Sequence, residues 1–331
     1  MIRVLVIGAA GMIGRKLARR LAGDGAIGDR GISALSLVDV VAAPAPESGR
    51  GPAPEVDTIV ADVTEPDVAT ELVASRPEVI FDLAAVVSGE AEDDFQKGYR
   101  VNLDGTRLLL EAIRAAGPGY GPRLVITSSV AVFGPPFPDV IGDEQRTTPA
   151  TSYGTQKAIG ELLVSDYTRR GFLDGLALRL PTICVRPGRP NLAASGFFSN
   201  IIREPLNGRE AVLPVGEDVR HWFASPRAAV QFLVHAAALD GEAIGPPRAL
   251  TMPGVSATVA MEIDALRRAA GDTAVSLIRR EPDERVVRIV DGWPRAFDTR
   301  RALALGFRAE RDFDEIVRVY IDDELGTVPL Q

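Results

Sequence analysis

The chain has 331 residues, 46% of them hydrophobic and 25% charged, the proportions of a globular protein with room for one extended domain or two closely joined ones. Its formal net charge is −8 and its pI is near 5.1. No excess of Lys or Arg is left to neutralise phosphates, which argues against a nucleic-acid or acidic-membrane partner.

Strand-like apolar runs alternate with helical periodicity through the first half. Val4–Ile7 reads as a strand and Gly11–Ala22 as a helix, with Leu17, Ala18 and Leu21 on its apolar face. A second strand is expected over Ala34–Val40, with Asp39 at its end. The Pro-, Ala- and Gly-rich stretch Ala42–Glu55 lacks periodicity and reads as a surface loop. Strands follow at Asp57–Ala61, Val79–Ala84, Arg123–Ser128 and Gly175–Leu180, with helices at Val68–Ser75, Phe95–Ala116 and Ser152–Arg169 between them. This βαβα order implies an α/β fold with a parallel, doubly wound sheet. From Pro187 onward the segments shorten and prolines become frequent, and the chain is expected back at the sheet over Ala228–Ala237 and Arg248–Thr251. The expected division is a Rossmann-type domain over 1–186 with 225–251, and a smaller region over 187–224 and 252–331.

Cys184 is the only cysteine, so no intrachain disulfide can form, which fits a reducing compartment. Within the apolar run Ala177–Val185 it reads as a small hydrophobe. The two histidines, His221 and His235, stand in no metal-ligand spacing, so no metal is expected. The N-terminal apolar run is too short for a secretion signal and no run approaches a membrane span. A cytoplasmic location is the expectation.

Two constellations carry chemistry. The first strand runs into Gly8-Ala9-Ala10-Gly11-Met12-Ile13-Gly14 and then a helix. Such a turn suits a dinucleotide pyrophosphate: one glycine makes the turn, one admits the phosphates to backbone N–H groups, and one lets helix and strand pack closely. The helix then points its positive end at the anion. Asp39, at the second strand end, is placed to bind ribose hydroxyls, and its charge repels a 2′-phosphate. Val40, Val41 and Ala42 offer no compensating arginine, so NAD is expected rather than NADP.

The second constellation is Tyr153 and Lys157, four residues apart on one helix face, with Ser128 and Ser129 ending the preceding strand. A free tyrosine, with a pKa of about 10, is a poor base at neutral pH. A nearby ammonium stabilises the phenolate, which can then take the proton of a substrate hydroxyl while a serine holds the same oxygen.

With these motifs the chain resembles the extended short-chain dehydrogenase/reductase superfamily, the epimerase/dehydratase-like kind. Leu83-Ala84-Ala85, Asn102-Leu103-Asp104-Gly105-Thr106 and Thr127-Ser128-Ser129-Val130-Ala131-Val132-Phe133-Gly134 also match it, although epimerase-like members usually have Tyr where this chain has Phe133. The resemblance implies Ser129 as catalytic serine, Tyr153 as acid/base and Lys157 as ribose-binding lysine. It implies a cofactor site of Gly8, Gly11, Met12, Ile13, Gly14, Asp39, Asp62, Val63, Leu83, Ala84, Ala85, Asn102, Ser128, Tyr153, Lys157, Pro181 and Ile183. Of these, Asp62 and Val63 would meet the adenine, Ser128 the nicotinamide, and Pro181 and Ile183 its carboxamide. Asn102 would fix the central helix or a proton-relay water.

The runs Arg179–Asn191, Ala193–Leu206, Arg220–Trp222 and Ser225–Arg227 resemble the D-erythronate-oxidising group of that superfamily. That likeness implies NAD-dependent oxidation of the C2 hydroxyl of a small sugar acid. Arg186 or Arg220 would supply a cation for the carboxylate; Ser88, Asn191 or Ser195 would meet its hydroxyls, and Ser129 and Tyr153 the reacting one. His221 is a lesser candidate for substrate contact, and His235, on an apolar helix, reads as structural. Relatives commonly form dimers, so a homodimer is expected. The alternatives are a nucleotide-sugar epimerase or dehydratase, a uronate-type dehydrogenase, and a non-catalytic NAD sensor.

Overall fold

The computed structural model describes residues 1–47, 54–188 and 195–326. In chain order it contains β1 (Ile2–Ile7), α1 (Met12–Asp24), β2 (Ala26–Ile27), β3 (Arg30–Asp39), β4 (Glu55–Val60), α2 (Pro66–Ala74) and β5 (Val79–Asp82). Next come α3 (Ser88–Asp93), α4 (Phe95–Tyr99), α5 (Gly105–Ala115), β6 (Arg123–Ser129), α6 (Ser152–Arg169) and β7 (Asp174–Leu180). The remainder is β8 (Thr182–Ile183), α7 (Gly196–Leu206), β9 (Ala211–Leu213), β10 (Arg220–Ala224), α8 (Pro226–Ala238), α9 (Gly241–Ile244), β11 (Ala249–Thr251), β12 (Val255–Thr258), α10 (Val259–Val275), β13 (Ile278–Arg280), α11 (Glu284–Asp291), α12 (Arg300–Ala304) and α13 (Phe313–Tyr320).

The chain divides into two units: Met1–Val132, Thr151–Arg179 and Val230–Leu250 form one, and Phe133–Ala150, Leu180–Ala229 and Thr251–Gln331 the other. The segments 133–150, 180–186 and 225–229, which the sequence groups with the first region, cluster with the second. Ile141 forms a bridge with Phe297, and Phe133 and Phe297 pack ring against ring. Such long-range partners cannot be read from a loop's own composition.

The first unit is built on a sheet of order β11-β7-β6-β5-β1-β3, with β4 parallel to β3 and the short β2 antiparallel to its start. β1 pairs in parallel with both β3 and β5, so the strand order reverses about β1. In sheets of this kind ligands bind beyond the carboxyl ends of the strands at that reversal. Both faces are covered, as a parallel sheet requires. Leu5 and Ile7 of β1 join a core with Leu72 and Val73 of α2, Leu109 and Ile113 of α5 and Val164 of α6. Val4 and Val6, pointing the other way, are equally buried. As expected, Arg248–Thr251 returns to the sheet, where β11 lies beside β7.

The helix expected over Phe95–Ala116 is interrupted. α4 and α5 are joined by a π-helical turn, Arg100–Asp104. Within it Asn102 turns inward, its Oδ1 accepting from Val86 N (2.9 Å) and its Nδ2 donating to Gln156 Oε1 (2.7 Å). A buried amide must find such partners, and a wider turn brings it to them.

The second unit carries a three-stranded sheet, β12-β10-β8, and the pair β13-β9. Its core gathers Phe198, Ile201 and Ile202 of α7, Phe223 of β10, Ile263 and Leu266 of α10, and Phe313 and Ile316 of α13. Cys184 is fully buried there, as expected of a small hydrophobe, and burial pushes its thiol pKa up.

Candidate active site

β1 ends in a turn that only glycine permits. Gly8 has φ +82°, and a Cβ there would sit 2.8 Å from Ala84 N. A Cβ on Gly14 would lie 2.2 Å from Gly8 O, so α1 approaches the turn as closely as a missing side chain allows. Gly11, exposed, precedes α1 as its N-cap, and no side chain caps that helix start. The first N–H groups, near Met12 and Ile13, are therefore left for an outside acceptor. Asp39 closes β3 beside this turn and accepts from Ala10 N through Oδ2 at 2.9 Å. Asp39 pairs with Val60 across β3 and β4, which brings Asp62 to a neighbouring strand end. There Asp62 Oδ1 accepts from Thr64 N (2.9 Å) and Oγ1 (2.7 Å), and Val63 is buried behind it. Leu83 and Ala84 are half-buried after β5 and Ala85 is exposed. This cradle, closed to any side chain and flanked by a carboxylate, fits a dinucleotide.

α6 begins at Thr151, whose Oγ1 accepts from Gly154 N at 3.0 Å. The cap sets Tyr153 in the first turn and Lys157 one turn on. Lys157 Nζ lies 5.8 Å from the centre of the Tyr153 ring. Lys157 is only 7% exposed. Burial lowers its pKa, and the carboxylates of Asp82 and, less strongly, Glu161 oppose that shift. Asp82 is buried at the end of β5; burial raises its pKa, against the pull of Lys157 and hydrogen bonds from Thr106 Oγ1 (3.0 Å) and Ala84 N (3.3 Å). Ser129 ends β6, half-buried, and its Oγ accepts from Ala131 N at 3.1 Å. α6 packs on β6.

Two expected cofactor residues have side chains engaged elsewhere. Ser128 Oγ, in a residue 3% exposed, donates to Glu161 Oε1 at 2.5 Å. Asn102 is bound to Val86 and Gln156. Ser88 starts α3 and is half-buried.

The remaining expected residues belong to the second unit. Pro181 is buried, and Ile183 pairs with Ala224 where β8 meets β10. Arg186 donates from Nε to Ile183 O (3.0 Å) and from Nη2 to Ser195 Oγ (2.6 Å), so two expected substrate residues are in direct contact. Arg220 is exposed, and its Nη1 donates to Ser256 O (3.2 Å) and Oγ (3.4 Å). It bonds to neither Arg186 nor Ser195. Asn191 lies outside the described residues. His221 is buried: Nδ1 donates to Pro294 O (3.0 Å), so Nε2 accepts from Thr182 Oγ1 (2.7 Å), and the ring stacks on Phe198. Burial pulls its pKa down to about 4. It is a satisfied core group.

The sequence reading missed Asp82, Glu161 and Arg179. Glu161 had a usable signal, since it follows Lys157 by one helical turn on the buried face. Arg179 reads as part of a basic run, yet its guanidinium pairs with Glu161 at 2.8 Å.

The model of the NAD dependent epimerase/dehydratase family matches residues 4–242. The chain is 48% identical to the D-erythronate dehydrogenase of Cupriavidus necator over 97% of its own length and 98% of that protein. It is 39% identical to the D-erythronate dehydrogenase of Haemophilus influenzae, over 98% of this chain and all of that protein (100%). Among solved structures it is similar to the nucleoside-diphosphate-sugar epimerase from Agrobacterium tumefaciens, with 59% identity, a TM-score of 0.94 and coverage of 98% of this chain and 95% of that one. The holo form of a GalE-like L-threonine dehydrogenase from Cupriavidus necator, 24% identical with a TM-score of 0.80, covers 97% of this chain and 99% of that one and shares the fold. By the length of the family match and by these relatives, the chain belongs to the NAD dependent epimerase/dehydratase family.

Proposed function

We propose that the protein is an NAD-dependent dehydrogenase that oxidises the C2 hydroxyl of a small sugar acid, with D-erythronate as first substrate and 2-dehydro-D-erythronate as product. The observation that carries the chemistry is the arrangement of α6 and the β6 end: Tyr153 in a capped first turn, the Lys157 amine beside its ring, and Ser129 at the strand end. The choice of D-erythronate leans on the two similar dehydrogenases.

In this reading Gly8, Gly11, Met12, Ile13 and Gly14 hold the pyrophosphate by their backbone, and Asp39 binds the adenosine ribose. The substrate hydroxyl proton passes to Tyr153 Oη, a transfer of the kind that contributes about 10²–10⁴-fold in rate. Ser129 Oγ hydrogen-bonds the same substrate oxygen. Lys157 stabilises the phenolate and binds the nicotinamide ribose. NAD supplies the hydride acceptor for the C2 hydrogen. Arg186 is assigned to the substrate carboxylate in preference to Arg220, because its guanidinium is anchored by Ser195 and a backbone carbonyl while Arg220 lies exposed.

A nucleotide-sugar epimerase is the second reading, favoured by the similar structure from Agrobacterium tumefaciens. The two differ in electron balance. A dehydrogenase leaves one NADH per product, whereas an epimerase returns the hydride and leaves none. Purified protein with NAD and D-erythronate is expected to accumulate NADH and a 2-oxo acid. Absence of NADH with every four- to six-carbon sugar acid, together with epimerisation of a nucleotide sugar, would replace the first reading by the second. Asp39→Ala is expected to weaken NAD and to relax the bias against NADP, by about 1.5–3 kcal/mol for each lost charge-assisted hydrogen bond. Equal use of NAD and NADP by the parent would remove that role from Asp39.

A further inference from the structure

Glu161 lies on the same helix as the reacting residues, one turn beyond Lys157 and two beyond Tyr153, and its side chain is 5% exposed. Its Oε1 accepts from Ser128 Oγ at 2.5 Å and from Arg179 Nε at 2.9 Å. Its Oε2 accepts from Arg179 Nη2 at 2.8 Å. Ser128 belongs to β6 and Arg179 to β7, which is β6's neighbour in the sheet. One carboxylate thus ties two adjacent strands to the helix that carries Tyr153 and Lys157. Ser128 is covalently joined to Ser129, so a bond that pins Ser128 to the helix also pins the strand end that presents the Ser129 hydroxyl.

Stability alone does not account for this choice of residues. Removing an ion pair from water costs about as much as the pairing returns, and packed apolar side chains in the same place are often equal or better. What a bidentate ion pair with a third hydrogen bond adds is direction. We propose that Glu161 is a positioning residue: through Ser128 and Arg179 it fixes the register of the β6 end against α6, so that Ser129 Oγ and Tyr153 Oη address one substrate oxygen. The inference rests on the assignment of Ser129, Tyr153 and Lys157 as the reacting residues.

Three variants of the full-length protein test it, each measured for kcat, KM, NAD affinity by fluorescence titration, and Tm. Ser128→Ala removes one arm of the clamp and leaves the ion pair in place. Its kcat is expected to fall by about tenfold, since small misplacements of reacting groups are costly, with NAD affinity held near the parent's. The double variant Glu161→Leu/Arg179→Met removes both charges together; its Tm is expected close to the parent's while kcat stays down by about tenfold or more. Tyr153→Phe is the control. Parent-like kcat in either of the first two variants, beside an inactive Tyr153→Phe, overturns the clamp and leaves the reacting residues standing. A loss of NAD affinity in Ser128→Ala that matches the loss of rate overturns it in favour of a cofactor contact. An active Tyr153→Phe overturns the assignment on which the proposal rests.

Discussion

Lys157, Asp82, Glu161 and Arg179 are all buried in the first unit, and each feels a charge of opposite sign. In the second unit Arg203 is buried beside Glu204, but His221 and Glu262 are buried with no such partner among the described residues. Among the described residues His221 meets neutral acceptors, donors and aromatic rings. Glu262 has no hydrogen-bond partner for either carboxylate oxygen among the described residues, and burial drives its pKa well up. The contrast separates two uses of a buried polar group. Where proton transfer is assigned, opposite charges resist the neutralisation that burial imposes. At His221 and Glu262 burial prevails, and those two groups act as neutral packing.

The largest effect is expected at the reacting residues. Tyr153→Phe removes only the phenolic oxygen, and turnover is expected to fall by about 10²–10⁴-fold while NAD binding survives. Steady-state rates beside an NAD titration check both halves. The next largest effect follows from leaving one buried charge alone. Arg179→Met strands Glu161, and urea unfolding is expected to show a loss of about 3–5 kcal/mol. A loss below about 1 kcal/mol, the range of exposed pairs, would mean that the pair is solvated and the contrast false.

The second unit is probed by pH. His221 has a folded pKa of about 4 against an ordinary 6.5. The unfolded chain therefore takes up a proton more readily as pH falls through that window. Stability from this group is complete above 6.5 and is lost on the way down to 4, by on the order of 3 kcal/mol. Denaturation of the parent and of His221→Gln across that range should differ in slope, and equal slopes would contradict a neutral buried ring.

Glu262 has the opposite sign. Its folded pKa is raised above 4.5, so the unfolded state gains by ionising as pH climbs past that value. Glu262→Met is expected to stabilise the protein at pH 7 by about 1–3 kcal/mol, since an unsatisfied buried carboxyl is replaced by packing. The gain should shrink below pH 4.5, and a gain independent of pH would show that the carboxyl is not held neutral.

Much of the first unit was legible because its signals are local. A strand pattern that meets Gly8, Gly11 and Gly14 dictates a turn whatever surrounds it. Asp39 closes its strand as expected, and the expected helix Ser152–Arg169 coincides with α6, because a capping Thr151 and a helical period need no distant partner. The one expected helix that broke did so at Asn102, whose partners Val86 and Gln156 are remote in sequence.

Readable from the residues alone were the alternation of strands and helices through the first half, the glycine turn with its neighbouring carboxylate, and Tyr153 and Lys157 one helical turn apart. These depend on backbone periods and turn chemistry that a few adjacent residues settle. The tertiary structure decided the rest: that Ser128 turns its hydroxyl to Glu161, that Arg179 pairs there, that Asp82 faces Lys157, and that Arg186 bonds Ser195 while Arg220 bonds Ser256. Each of these joins residues brought together by strand order and packing, which no local period encodes. Burial then lowers the dielectric around them, so the partner found in space sets how each group acts.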